Sequence, residues 1–416
     1  MPQKIRRRSH VFHKRNTAPI KIIVTVVAAA GLITAGYFAA KFVMEKGPAV
    51  SSPDSRTSSS QAAVQPPASS TVSQPAGDDK QPDVPTGSLR AFYIPVSLLR
   101  DTAALDTQLD AAKAAGFNAV LFDLKDANGV LHYTSSAELA VRANSAAAGA
   151  MTVGELTAAG AHIREKGLTP IPRLYAFKDP LAPRALPDAK VTLESNPGYT
   201  WYDDDPSAGG KPWLNPYAPE AHRYITGLAE ELAGGGFTVV MLDGVQFPDR
   251  TSRAYYGTSE LTSLSKSDVL EKFVTDLSAA VEGTRVLLCA PGLAIFGDGT
   301  APFGGNPLSF GAADVAPVLL PSTLGKRLTV GEETVTDLAA NPAQTVALAA
   351  RQIHLRMQLM EAAQRPGIMP WLQAQSYTAQ QIHGEIAGVT AAFGEDASYI
   401  LYHPDGTYDF ASLANS

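Results

Sequence analysis

From Leu89 onward the hydrophobic positions fall into two rhythms. Short runs rich in β-branched and aromatic residues recur eight times: LRAFYIP, NAVLFDLK, LTPIPRLYAF, FTVVMLDGV, TRVLLCAP, ADVAPVLLP, IMPWLQAQ and ASYILYH. Longer stretches with helical character separate them, and that alternation predicts a parallel sheet with helical crossovers. Eight strands are the number that closes an α/β (β/α)8 TIM barrel. Several helix starts are legible. Thr152 with Glu155, and Thr378 with Gln381, read as capping boxes, and Asn341 before Pro342 places a cap ahead of a first-turn proline. The GGGF stretch from Gly234 to Phe237 precedes a strand, so it reads as a helix stop; a phosphate-binding loop would follow the strand.

Upstream of Leu89 the pattern changes. A basic segment, 1–21, with Lys4, Arg6, Arg7, Arg8, Lys14, Arg15 and Lys21, precedes an almost wholly apolar run, 22–44. That run is long enough to span a bilayer as a helix, and the preceding positive charge would hold the N-terminus in the cytoplasm. The expectation is an uncleaved signal-anchor, with a cleaved signal peptide as the rival reading. Residues 45–88 are Ser, Pro, Ala and Gln with little aliphatic bulk, which predicts a disordered linker. The expected organisation is therefore a single-pass protein of the cell membrane, with the barrel, 89–416, outside.

The 416-residue chain carries a formal net charge of -6, and its dense basic block is confined to the N-terminus, which excludes nucleic acid as an expected partner. The single cysteine, Cys289, lies inside an apolar strand and reads as a small buried hydrophobe. There is no nucleotide loop, Gly-x-Ser-x-Gly elbow or zinc signature, and the histidines lack ligand spacing. Asp203, Asp204 and Asp205 read as a solvated turn. Neither a metal nor another cofactor is expected.

In barrels of this kind chemistry sits at the C-terminal ends of the strands. The candidate polar residues cluster there: Asp123, Lys125 and Asp126 after strand two; Arg173, Tyr175, Lys178 and Asp179 after strand three; Asp243 and Gln246 after strand four; Trp371, Gln373 and Gln375 after strand seven; Tyr402, His403 and Asp405 after strand eight. Period-two alternation puts Asp123 and Lys125 on the side of Ala119 and Leu121, and Asp243 on the side of Val239 and Met241. Asp243-Gly244 could instead form a simple turn, and Asp123 with Lys125 or Arg173 a structural ion pair at the barrel rim. Trp201, Trp213 and Trp371 lie where sugar rings could stack or where a core could take them.

Read together, these stretches resemble a bacterial family of glycoside-hydrolase-like TIM barrels, long catalogued as a domain of unknown function. FDLKDANG is similar to its D-x-K-D-x-x-G, PRLYAFKDP to its R-x-x-x-F-K-D-P, WLNPY (Trp213, Asn215) to its W-x-N-P, LLPS to its Y-P-S and PWLQ to its P-W-L-Q. Two departures stand out. LDGVQFP keeps Asp243 but offers Gly244 and Gln246 where the family has tyrosine and arginine, and PGLAIFG offers Ala294 near an acid of strand five.

The resemblance implies hydrolysis of a glycosidic bond, which takes two carboxyl groups roughly 5 Å apart for retention and roughly 6.5–9.5 Å apart for inversion. Asp243 is the expected nucleophile or base, with Asp123 or Asp126 as its partner and Asp179 behind them. Lys125, Arg173, Lys178, Asp179, Trp213, Asn215, Gln246, Trp371 and Gln373 are the expected carbohydrate-binding residues. The alternative implied by the departures is a barrel that holds a glycan without cleaving it, and a third reading is an envelope scaffold for protein partners.

Overall fold

Each of the eight apolar runs forms a strand in the computed structural model, which describes residues 82–414 apart from 206, 208–209 and 298–300. The strands are β1 (Arg90–Tyr93), β2 (Ala119–Lys125), β3 (Thr169–Tyr175), β4 (Val239–Asp243), β5 (Arg285–Pro291), β6 (Asp314–Val318), β7 (Trp371–Gln373) and β8 (Tyr399–Tyr402). They pair in parallel in chain order, and β8 pairs back to β1, so the barrel is closed. Closure removes every free sheet edge from the core ring.

Alternation along each strand sorts the side chains into two layers. Ala91, Leu121, Ile171, Met241, Leu287 and Ile400 fill the lumen. Their neighbours Phe92, Val120, Leu174, Leu242, Leu288 and Leu401 belong to the larger core between strands and helices. That outer layer packs under α1 (Thr102–Ala114), α2 (Val153–Glu165), α3 (Pro219–Gly234), α4 (Lys266–Ala280), α5 (Pro342–Gln358) and α6 (Ala379–Phe393). The crossover from β5 to β6 departs from the pattern: among its described residues it has a five-residue helix, Gly292–Phe296, and a 3-10 turn, Pro307–Ser309.

The helix starts form as their sequences dictate. Thr152 Oγ1 accepts from the Glu155 amide at 3.1 Å while Glu155 accepts from the Thr152 amide at 2.7 Å, and Thr378 and Gln381 make the same reciprocal pair. At the opposite end of the barrel, Arg285 grips Asp314 through two bonds of 2.5 and 2.6 Å. The same guanidinium donates to the carbonyls of Pro85 and Gly87, tying the incoming chain to the barrel base.

Long loops leave the strand ends. After β2 the chain adds strands Leu131–Thr134 and Ala146–Thr152 to the sheet. The loops after β3 and β4 together build a three-stranded lobe from Thr192–Leu193, Asn196–Thr200 and Ala254–Tyr255.

The expected membrane topology needs correction. Among the described residues no helix is long and apolar enough to cross a membrane. The basic segment, the apolar run 22–44 and the linker as far as residue 81 lie outside the described residues. The single-pass anchor, the membrane association and the cell-surface location built on that run are accordingly withdrawn.

Candidate active site

Three adjacent strands deliver charge to the open end of the lumen. Asp123 continues the inward set of β2, Arg173 that of β3 and Asp243 that of β4, and the register places Asp123 beside Arg173 and Tyr175 beside Asp243. The Arg173 guanidinium joins the two acids. Its Nε donates to Asp123 Oδ1 at 2.5 Å and its Nη2 to Asp123 Oδ2 at 2.9 Å, while Nη1 reaches Asp243 Oδ2 at 3.3 Å. The cation also lies 4.7 Å from the centre of the Trp371 ring and 5.2 Å from that of Tyr175. Tyr93 donates to Asp123 Oδ2 at 3.3 Å, and the Gly244 amide donates to Asp243 Oδ1 at 2.6 Å.

Gly244 makes that last bond from the left-handed region, at φ +61°. A glycine there turns the chain straight after the carboxylate, which explains why LDG ends the strand.

The surroundings set the charge states. Burial disfavours the Arg173 cation, but Asp123, Tyr175 and Asp243 together outweigh it and hold its pKa well above the ordinary value. The negative charge of Asp243, with burial behind it, raises the Tyr175 hydroxyl far above the usual tyrosine range, so Tyr175 remains a donor. Burial first and Asp243 second likewise raise the Cys289 thiol. Burial, then Asp123, raises Tyr93.

Above this cluster opens a cavity of about 350 Å³. Arg173, Lys178, Asp243 and Gln246 form its polar side, and Leu293, Leu320 and Leu324 its apolar side. Asp243 is the one carboxylate among the described residues that line it.

Other expected site residues face elsewhere. A bulge between Asp123 and Lys125 shifts the register so that Lys125 stands opposite Leu174, and the lumen parity predicted for Lys125 is broken. Lys125 instead enters the layer between barrel and helices, fully buried. Its ammonium lies 2.8 Å from Asp179 Oδ2, donates to the Tyr175 carbonyl at 2.7 Å and sits 5.7 Å from the centre of the Tyr224 ring. Asp179, also fully buried, accepts from the Leu181 and Ala182 amides at 2.8 and 2.9 Å. Gly129, at φ +77°, lets the loop after β2 press against that carboxylate, where any Cβ would collide with Asp179 Oδ1. Asp126 is an intraloop anchor: one oxygen accepts from Asn128 and Val130, and the other faces His132 at 3.4 Å.

Trp213 and Trp201 pack with Val191 in the core of the lobe, where the Trp201 indole donates to the Ser252 carbonyl. Asn215 bonds the Tyr256 carbonyl and the Tyr217 amide. Gln373 accepts from Ser322 Oγ at 2.7 Å and donates to the Gln375 carbonyl, bracing the loop after β6. Trp371 lines the cavity but is 2% exposed, its ring covered by Arg173 and Tyr402. None of the three indoles offers an open stacking face.

The expected list omitted Tyr93, Cys289 and the leucine wall. Tyr93 was legible, since Leu89, Ala91 and Tyr93 share the inward parity of β1. The leucines come from irregular loops, which carry no periodic signal. Among the described residues no group of three or more His, Cys, Asp or Glu could hold a metal ion.

A family profile described as "Putative glycosyl hydrolase domain" matches residues 91–408. No curated protein matches the chain. Similar solved structures include an α-galactosidase from Thermus thermophilus, at 13% identity over 80% of this chain and 63% of that chain, with a TM-score of 0.47. The catalytic domain of β-amylase from Paenibacillus polymyxa shares 12% identity over 78% and 95%, at 0.46. The GH20 exo-β-N-acetylglucosaminidase from Vibrio harveyi shares 13% over 70% and 42%, at 0.41, so the chain spans less than half of that enzyme. Overlaps this loose assign no substrate.

Proposed function

The chain belongs to that glycosyl hydrolase domain family, and from this premise we propose that it hydrolyses glycosidic bonds in the cavity above Asp243. The observation that carries the reading is the fixed presentation of one carboxylate at the floor of that cavity. Asp243 is held by the Gly244 amide through one oxygen and by Arg173 through the other. The longer 3.3 Å bond leaves Oδ2 the freer oxygen, suited to attack an anomeric carbon or to take a proton from water. Asp123 gives both oxygens to Arg173 and acts as a positioning residue: it balances the guanidinium that orients Asp243. Tyr175, kept protonated, and Gln246 supply donors for sugar hydroxyls along the same wall.

One observation favours a second reading. A complete hydrolytic set needs a second carboxyl group, and Asp243 is the one carboxylate in the described lining. A barrel that binds a glycan without cleaving it would have that lining.

Reducing ends released from a panel of plant, microbial and animal glycans, with binding recorded in parallel, separate the two. Hydrolysis predicts release by the parent protein and its loss in Asp243→Asn, with binding retained. Binding without release across the panel selects the second reading.

A further inference from the structure

Lys178 is the charged lining residue that the cluster at the mouth does not use. Asp123 and Asp243 share Arg173, and Asp179 takes Lys125. Among the described residues Lys178 makes no ion pair, and it is one of the residues that line the cavity. Its position is nonetheless tightly set. Phe177, before it, is fully buried against the rings of His222 and Phe273, and Asp179, after it, is fully buried in the pair with Lys125. An exposed residue between two such anchors cannot move its backbone as an ordinary surface lysine does. The stem also lies against Gly244, where any Cβ would come within 3.1 Å of Lys178 Cβ.

We infer that the carbohydrate taken by this cavity is acidic and docks an anionic substituent, such as a ring carboxylate or a sulfate ester, on Lys178. The inference rests on the glycan-site reading above. Charge balance sets the orientation. Asp123, Arg173 and Asp243 together carry one net negative charge, which repels an anion from the Asp243 end, whereas Lys178 attracts one to its own end. Gln246 adds a donor on the same polar side, its amide making, among the described residues, a 3.5 Å bond to the Phe247 carbonyl. A sugar seated with its acid at Lys178 thus presents a neutral part to Asp243.

Calorimetric titration of the full-length protein tests this with three oligosaccharides of equal length: a uronide, a sulfated sugar and a neutral one. At low salt the better acidic ligand should bind about tenfold more tightly than the neutral one, as a charge-assisted contact implies. Added salt should erode that preference. In Lys178→Gln the acidic-to-neutral ratio should fall near unity, and in Lys178→Arg it should persist. The separate acidic arms tell carboxylate from sulfate, and a preference for either supports the inference. Equal or tighter binding of the neutral sugar, or an unchanged ratio in Lys178→Gln, overturns it while leaving the glycan site standing. Failure of all three to bind overturns the site reading and the inference together.

Discussion

Two charge clusters share the ends of β2 and β3, and they do different work. Lys125 and Asp179 meet between barrel and helices with no exposure at all. Asp123, Arg173 and Asp243 meet in the lumen mouth with side chains 18%, 10% and 16% exposed. A one-residue bulge after Asp123 separates them by sending Asp123 inward and Lys125 outward. The stretches FDLKD and PRLYAFKD therefore each divide between the mouth, which takes Asp123 from the first and Arg173, Tyr175 and Lys178 from the second, and the scaffold behind it, which takes Lys125 and Asp179. Facing direction, and not residue type, assigns the role.

The sharpest way to break this comparison is to remove a buried partner. Asp179→Ala leaves the Lys125 ammonium buried and unpaired, so urea unfolding should show a loss of about 3–5 kcal/mol. Unchanged stability would make the buried pair dispensable and undo the distinction. Next in size, Arg173→Met frees both mouth acids from their shared cation. Turnover should fall by roughly 10²–10³, the scale of a lost electrostatic contact in an active site, with less effect on unfolding than Asp179→Ala.

Another buried acid sharpens the contrast. Glu385 on α6 is fully buried, and it accepts from the Gln373 amide at 2.8 Å; among the described residues no cation pairs with it. Burial pushes its pKa up to about 8, and the Gln373 amide only partly offsets this. The folded state thus holds a proton that the unfolded chain has already lost. This contribution to stability is full below the ordinary glutamate pKa and disappears as pH rises to about 8, by at most about 1.4 kcal/mol per pH unit. Glu385→Gln should flatten that decline in unfolding curves recorded from pH 5 to 8. Smallest is Gly244→Ala, which forces a side chain to φ +61° against Lys178. It should cost about 1–2 kcal/mol and weaken glycan binding by displacing the Lys178 stem.

The barrel was legible because closure, strand number and lumen parity all follow from apolar alternation. Ala119, Leu121 and Asp123, like Val239, Met241 and Asp243, keep period two to the strand end, and the mouth acids could be placed from it. Lys125 could not, since a bulge adds one residue without any change of composition. Trp213 and Asn215 are expected at the site through the W-x-N-P resemblance, yet Trp213 packs into a small core that its own loop makes, and Asn215 bonds the Tyr256 carbonyl and the Tyr217 amide. Gln373 sits at a strand end but turns to Ser322. Irregular loops have no periodicity from which such turns could be read.

The most direct test is a crystal structure of Asp243→Asn soaked with an oligosaccharide that the parent protein binds. The account predicts a sugar in the cavity beside residue 243, between Lys178 and the leucine wall, with the Lys125–Asp179 pair untouched behind it. A sugar bound on the three-stranded lobe or on another face, with this cavity empty, would contradict it.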